Sequence, residues 1–147
     1  MTEGGSAFET EEKIAGLMRE FEACTLPKQN WTHAAHLVVG FWYLRHLPYP
    51  EAVTRIRDGI QRYNEACGVL QTPTGGYHET ITLFYIAVID RLLHSATPED
   101  SLVSLAARVL DECGDRRLPL IYYTKDRLMS WEARTCWVEP DLKSLNN

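Results

Sequence analysis

The sequence has no long apolar run, no leader pattern and no surplus of basic residues, and each absence excludes a class of protein. No run approaches the roughly 20 apolar residues of a membrane-spanning helix. The start, Met1 to Ser6, has neither the basic nor the apolar region of a secretory signal. The net charge is −5, and we interpret the adjacent pair Arg116-Arg117, and also Lys125, as solvated surface charges. We therefore expect a cytoplasmic protein that binds neither nucleic acid nor membrane.

Cysteine is present, but never in the close pairs that bind zinc or form redox couples. Cys24, Cys67, Cys113 and Cys136 are far apart in the chain, and no C-x-x-C occurs. Without a secretory signal they are expected to be reduced, and a buried thiol normally packs as a small hydrophobic group. The chain is therefore expected to fold without disulfides.

The chain contains apolar stripes at helical spacing and no segment with the alternation of a strand. Its 147 residues suit one domain with a substantial core. We predict an all-α, single-domain bundle over residues 8–147, after a disordered N-terminus over residues 1–7. Five helices are expected, followed by a docked C-terminal segment with one or two short helices. The five are expected at about 8–24, 32–47, 50–67, 77–93 and 98–113.

The second and fourth helices are apolar on nearly every face, which predicts that both lie at the centre of the bundle. Each opens with histidine. The second begins after the proposed N-cap Thr32 with His33 and His36, and the fourth begins near His78 and Glu79. Short connections make successive helices antiparallel, so the second and fourth should start at the same end. We expect these four side chains to meet there.

The first hypothesis for this site is a metal centre. First-turn histidines are expected to be neutral because the helix dipole disfavours their protonation, and neutral imidazole is the form that ligates metals. His33, His36 and His78, with Glu79, would suit Zn²⁺ or Fe²⁺. Glu79 would be the fourth ligand or the base that deprotonates a metal-bound water. This hypothesis predicts a metal-dependent hydrolase or lyase acting on a small molecule.

Two other hypotheses use the same geometry without a metal. Two converging helix N-termini would attract a small anionic ligand, with Trp31 and Tyr77 as an aromatic wall. A neutral histidine would then serve as general base, oriented by Glu79. Alternatively, the histidines are core groups satisfied by hydrogen bonds in a structural protein. The pattern does not define the oligomeric state, and a homodimer is one possibility.

Three separated motifs give the chain a resemblance. They are Trp-Thr-His-x-x-His-Leu at 31–37, Gly-Tyr-His-Glu-Thr at 76–80 and Trp-Val-Glu-Pro-Asp-Leu at 137–142. Together they resemble a family of small, uncharacterised bacterial proteins. The resemblance implies a bacterial, cytoplasmic protein of about this size, and it implies no reaction.

Overall fold

The computed structural model describes residues 8–145, and within them the fold is entirely α-helical apart from turns and loops. The predicted disordered segment 1–7 lies outside the described residues. Five longer helices and two short ones follow one another. They are α1 (Glu11–Glu22), α2 (His33–His46), α3 (Tyr49–Ala66), α4 (Glu79–His94), α5 (Leu102–Cys113), α6 (Lys125–Leu128) and α7 (Trp131–Thr135). Single 3-10 turns precede α2 and α6, at Lys28–Asn30 and Leu118–Ile121.

Every helix start except that of α3 is fixed by a side chain that accepts a hydrogen bond from an otherwise unpaired backbone N–H group. Thr32 caps α2 by accepting from the N–H of Ala35 at 3.2 Å, as its position in the sequence predicts. The cap of α4 is a histidine, since His78 Nδ1 accepts from the N–H of Ile81 at 3.1 Å. The helix therefore begins at Glu79, and His78 lies just before it.

Helices α2 and α4 form the centre of the bundle. Helix α2 packs against α1, α3, α4 and α5, while α4 packs against α2, α3, α5 and α7. Both are apolar around most of their circumference, so each buries side chains on several neighbours at once. The predicted all-α bundle with the second and fourth helices at its centre is confirmed.

Helices α2 and α4 run parallel, but their starts are offset along the axis. The ring of His33, the first residue of α2, lies 5.2 Å from that of Tyr85, well inside α4. Farther along, Gly40 faces Ile89. Tyr85 is six residues into α4 but level with the first residue of α2. At 1.5 Å per residue, α4 therefore begins roughly 5–9 Å farther out, toward the end of the bundle, than α2 does. The N-terminal ends of α2 and α4, which carry the histidines, therefore lie at the same end of the bundle but at different depths along its axis.

One helix starts later than its sequence indicated. We expected the fifth helix to begin at Pro98, whereas α5 begins at Leu102 with Ser101 as its cap. The reason is local: the Asp100 carboxylate accepts from the backbone N–H of Thr97 at 2.8 Å, which closes a separate turn before the helix.

The C-terminal segment docks onto the start of α4. The Thr80 hydroxyl donates to the Cys136 carbonyl at 2.8 Å and accepts from the Val138 N–H at 3.2 Å. The Tyr123 hydroxyl donates to the Val138 carbonyl at 2.7 Å. The Thr80 bonds hold the chain after α7 against α4, and the Tyr123 bond ties the C-terminal segment to itself. No helix in the described part of the chain has the length and apolarity to cross a membrane.

Candidate functional site

His78 uses both ring nitrogens within the protein. Its Nε2 lies 2.7 Å from the Leu128 carbonyl oxygen, and a carbonyl only accepts, so Nε2 carries the proton. Its Nδ1 accepts the N–H of Ile81. Burial lowers the His78 pKa, partly offset by the bond to Leu128. The ring is thus a neutral connector between α4 and the C-terminal segment, with no lone pair left for a metal ion.

Glu79 is engaged by two side chains. Arg57 forms a two-point ion pair with it, with Nε 3.1 Å from Oε1 and Nη2 3.0 Å from Oε2. The Tyr77 hydroxyl donates to the same Oε1 at 2.6 Å. The carboxylate therefore ties α4 to α3, and to act as a ligand or base it would first have to exchange these partners.

The two predicted aromatic wall residues lie apart from each other. Trp31 stacks between Phe21 and His36, with ring centroids 4.9 and 3.7 Å away. Tyr77 is engaged with Glu79, as described above. Neither aromatic ring borders the apolar cavity that His33 and His36 line.

His33 and His36 each retain one ring nitrogen without a hydrogen bond among residues 8–145. His33 Nε2 donates to the Cys113 carbonyl at 3.0 Å, so its Nδ1 is the unprotonated nitrogen of the neutral ring. His36 Nδ1 donates to the Thr32 carbonyl at 2.8 Å, so its Nε2 carries the lone pair. Both rings thus supply an acceptor at the start of α2.

Burial keeps both of these imidazoles neutral. The pKa of His36 is lowered to about 4, chiefly by burial and further by the nearby charges of His33 and Arg116. The hydrogen bond to Thr32 opposes this shift only in part. Burial and the charge of Arg116 also lower the pKa of His33. At neutral pH the first turn of α2 therefore carries two uncharged acceptors beside an arginine.

His33 and His36 border an apolar cavity of about 360 Å³ beneath the first turns of α2. Ligand pockets in proteins are typically about 300–1,000 Å³, whereas ordinary cores contain few voids larger than a water molecule. Exposed Leu120 and Met129 also border it, so the cavity reaches the surface. Its aliphatic lining includes Leu37, Ile56, Ile60, Ile81, Ile86, Ile89, Leu120, Leu128 and Met129.

Two cations lie on the border of this cavity. Arg116 follows α5, and Lys125 opens α6. Neither side chain forms a hydrogen bond or an ion pair with any other described residue, whereas neighbouring Arg117 pairs with Asp115 at 3.2 Å. The polar lining also includes the hydroxyl residues Thr82 and Tyr85. The cavity thus combines an aliphatic interior with two exposed cations at its border.

Of the four residues expected to form one site, the structure brings two together at the cavity. His33 and His36 border it, while the His78 ring bonds to the backbones of Ile81 and Leu128, two residues that line the cavity, and does not line it itself. Glu79 faces Arg57 instead. Among residues 8–145, no group of three or more His, Cys, Asp and Glu side chains is placed to hold a metal ion. The zinc or iron centre stays a prediction, and it would require His78 to give up its present bonds.

A second depression lies on the other side of His33. It measures about 1330 Å³, runs between α1 and α5, and shares His33 and Arg116 with the first cavity. Its walls include the charged residues Glu20 and Asp111. The first cavity is smaller and far more apolar, and it is the better match to a small-molecule site.

Comparison of the chain with protein-family models, with curated proteins and with solved structures found no match. The resemblance carried by the three motifs therefore stays a prediction.

Arg116 and Lys125 are exposed, as their interpretation as solvated charges predicts. Nothing in their spacing indicates that both also border one cavity, and most of the lining is equally unrecognisable in the sequence. The signal that was available is Gly40, an isolated glycine inside an apolar helix, where it costs roughly 1 kcal/mol relative to alanine.

Proposed function

We propose that this protein is a binding module for a small amphipathic anion, one with an aliphatic body and a carboxylate or similar group. A single observation carries the proposal: an aliphatic cavity of about 360 Å³ is bordered by Arg116 and Lys125, and neither cation is paired within residues 8–145. The aliphatic part of such a ligand would cover the apolar walls, and its negative charge would neutralise the two cations.

The anionic end is assigned to the cations, because the histidines beside them are uncharged at neutral pH. Arg116 lies close enough to the first turn of α2 to lower the pKa of both His33 and His36. A guanidinium binds a carboxylate through two parallel hydrogen bonds, which favours one orientation of the ligand. The ligand's aliphatic part would then extend along α2, away from Arg116.

The test measures binding of octanoate by titration calorimetry. The comparison ligands are octanol, which lacks the carboxylate, and acetate, which lacks the long aliphatic chain. We expect octanoate to bind more tightly than either. Arg116→Gln should weaken octanoate about fivefold, equivalent to about 1 kcal/mol for a partly exposed ion pair. The matched control is Arg117→Gln, because Arg117 is adjacent and exposed but pairs with Asp115 and does not border the cavity.

Other results would favour the other hypotheses. Equal affinity for octanol and octanoate, or no binding at all, would contradict an anion site. Stoichiometric zinc or iron in protein purified without a histidine tag, lost in His33→Ala and in His78→Ala, would replace this proposal with the metal-dependent hydrolase or lyase. If neither ligand nor metal binds, and His36→Ala lowers stability by more than about 1 kcal/mol, the histidines are structural.

A further inference from the structure

Gly40 lies in the middle of α2, where a glycine is costly. The helix runs from His33 to His46, and Gly40 is not among the glycines with positive φ. A glycine in a helix interior destabilises it by roughly 0.5–1 kcal/mol relative to alanine. The helical backbone alone therefore gives no reason for glycine at this position.

Packing gives no reason either. A Cβ at Gly40 would lie 3.7 Å from Ile89 Cδ1 and 4.0 Å from Ile56 Cδ1, which are ordinary van der Waals distances. Gly59 in α3 is different, because a Cβ there would come within 2.8 Å of the Phe21 ring. Gly59 is needed for close packing, whereas at Gly40 an alanine would fit.

The space that Gly40 leaves open belongs to the cavity. Gly40 lies on the same face of α2 as His36, one turn farther along and about 6 Å deeper. The side chains opposite it are Ile56 and Ile89, which also line the cavity. A methyl group at Gly40 would shorten the cavity at the end away from Arg116.

We propose that Gly40 sets the length of the aliphatic chain that the cavity accepts, and that the ligand is an unbranched carboxylate whose terminal methyl reaches Gly40. This inference rests on the proposed anion-binding function. The carboxylate lies at Arg116, and the chain passes His36 and Leu37 before its terminal methyl ends against Gly40, beside Ile56 and Ile89. Most of the lining is aliphatic, and Tyr85 and the two imidazoles are its aromatic rings, so the walls around Gly40 suit a flexible saturated chain.

The experiment measures dissociation constants for hexanoate, octanoate, decanoate and dodecanoate with the wild type, Gly40→Ala and Ile89→Val. In the wild type, affinity should rise about fourfold per added methylene until the cavity is filled, and then fall. Gly40→Ala should move the optimum to a shorter chain and weaken the best wild-type ligand about tenfold. Ile89→Val removes the Cδ1 that faces Gly40 and should move the optimum to a longer chain.

Gly16→Ala is the matched control. Gly16 is also inside a helix, a Cβ there would meet only Arg19 at 3.7 Å, and it does not border this cavity. It should gain helix stability without altering the chain-length optimum. An unchanged optimum in both Gly40→Ala and Ile89→Val, with binding intact, would overturn the role of Gly40 alone. Absence of carboxylate binding in the wild type would overturn the proposed function together with this inference.

Discussion

The buried imidazole of His36 makes stability depend on pH in a predictable direction. Its pKa is about 4 in the folded protein, against an ordinary value of 6.5, because burial disfavours the charged ring. As pH falls below about 6.5, the unfolded chain takes up a proton that the folded protein does not. His36 therefore lowers the free energy of unfolding on acidification, and its own contribution levels off below about pH 4.

The size of the effect follows from the two pKa values. Between about pH 7 and about pH 5, His36 alone should remove about 2 kcal/mol of stability, out of about 3 kcal/mol in all. For a chain of this length that corresponds to a fall in melting temperature of roughly 4–8 °C. Burial also lowers the pKa of His33 and His78, so both add to the loss in the same direction.

The assay is urea unfolding at a series of pH values, with His36→Asn as the test variant. Asparagine keeps a donor for the Thr32 carbonyl but does not titrate, so about 2 kcal/mol of the pH dependence should disappear. His46→Asn is the control, because His46 also donates to a carbonyl and stacks on a tryptophan, Trp42, but is exposed. An unchanged pH dependence in His36→Asn, or an equal loss in both variants, would refute burial of His36 as the cause.

Substitutions at three further positions test the contacts that hold the bundle together. Glu79→Gln should lower the free energy of unfolding by about 1–2 kcal/mol, because it weakens the bonds to partly exposed Arg57, and it should leave octanoate affinity unchanged in calorimetry. His78→Ala should lower the free energy of unfolding, measured in urea, by about 2–3 kcal/mol. His78→Asn should lower it by about 1 kcal/mol less, because asparagine restores the helix cap. Equal losses in the two variants would contradict the capping role. Gly59→Ala should cost about 1–3 kcal/mol, since its methyl would overlap Phe21, and a gain in stability would contradict that packing.

The features that the sequence predicts well are those set by nearby residues. Thr32 is recognisable as a cap because the residues it serves follow it directly, and the apolar circumference of α2 requires a central position. The start of α5 was misplaced because the Asp100 side chain closes a turn with Thr97, an alternative that the Thr-Pro-Glu-Asp pattern also permits.

The features that the sequence predicts poorly depend on contacts between residues that are far apart along the chain. His78 resembles a ligand in sequence, but its partner Leu128 is 50 residues away, and that hydrogen bond makes it a structural connector. Similarly, the cavity is defined by side chains from several helices and by the missing side chain of Gly40. Short local motifs identify the histidines but do not tell which of them share a cavity.

The central claim is that the aliphatic cavity beneath the first turns of α2 binds an amphipathic anion. The most direct measurement is an NMR titration of isotope-labelled protein with octanoate, following every backbone amide. We predict saturable shifts at Gly40, Leu37 and Ile86, which line the cavity, and none at Gly16 in α1. Saturation without any shift at Gly40, or shifts confined to exposed arginines, would contradict the account.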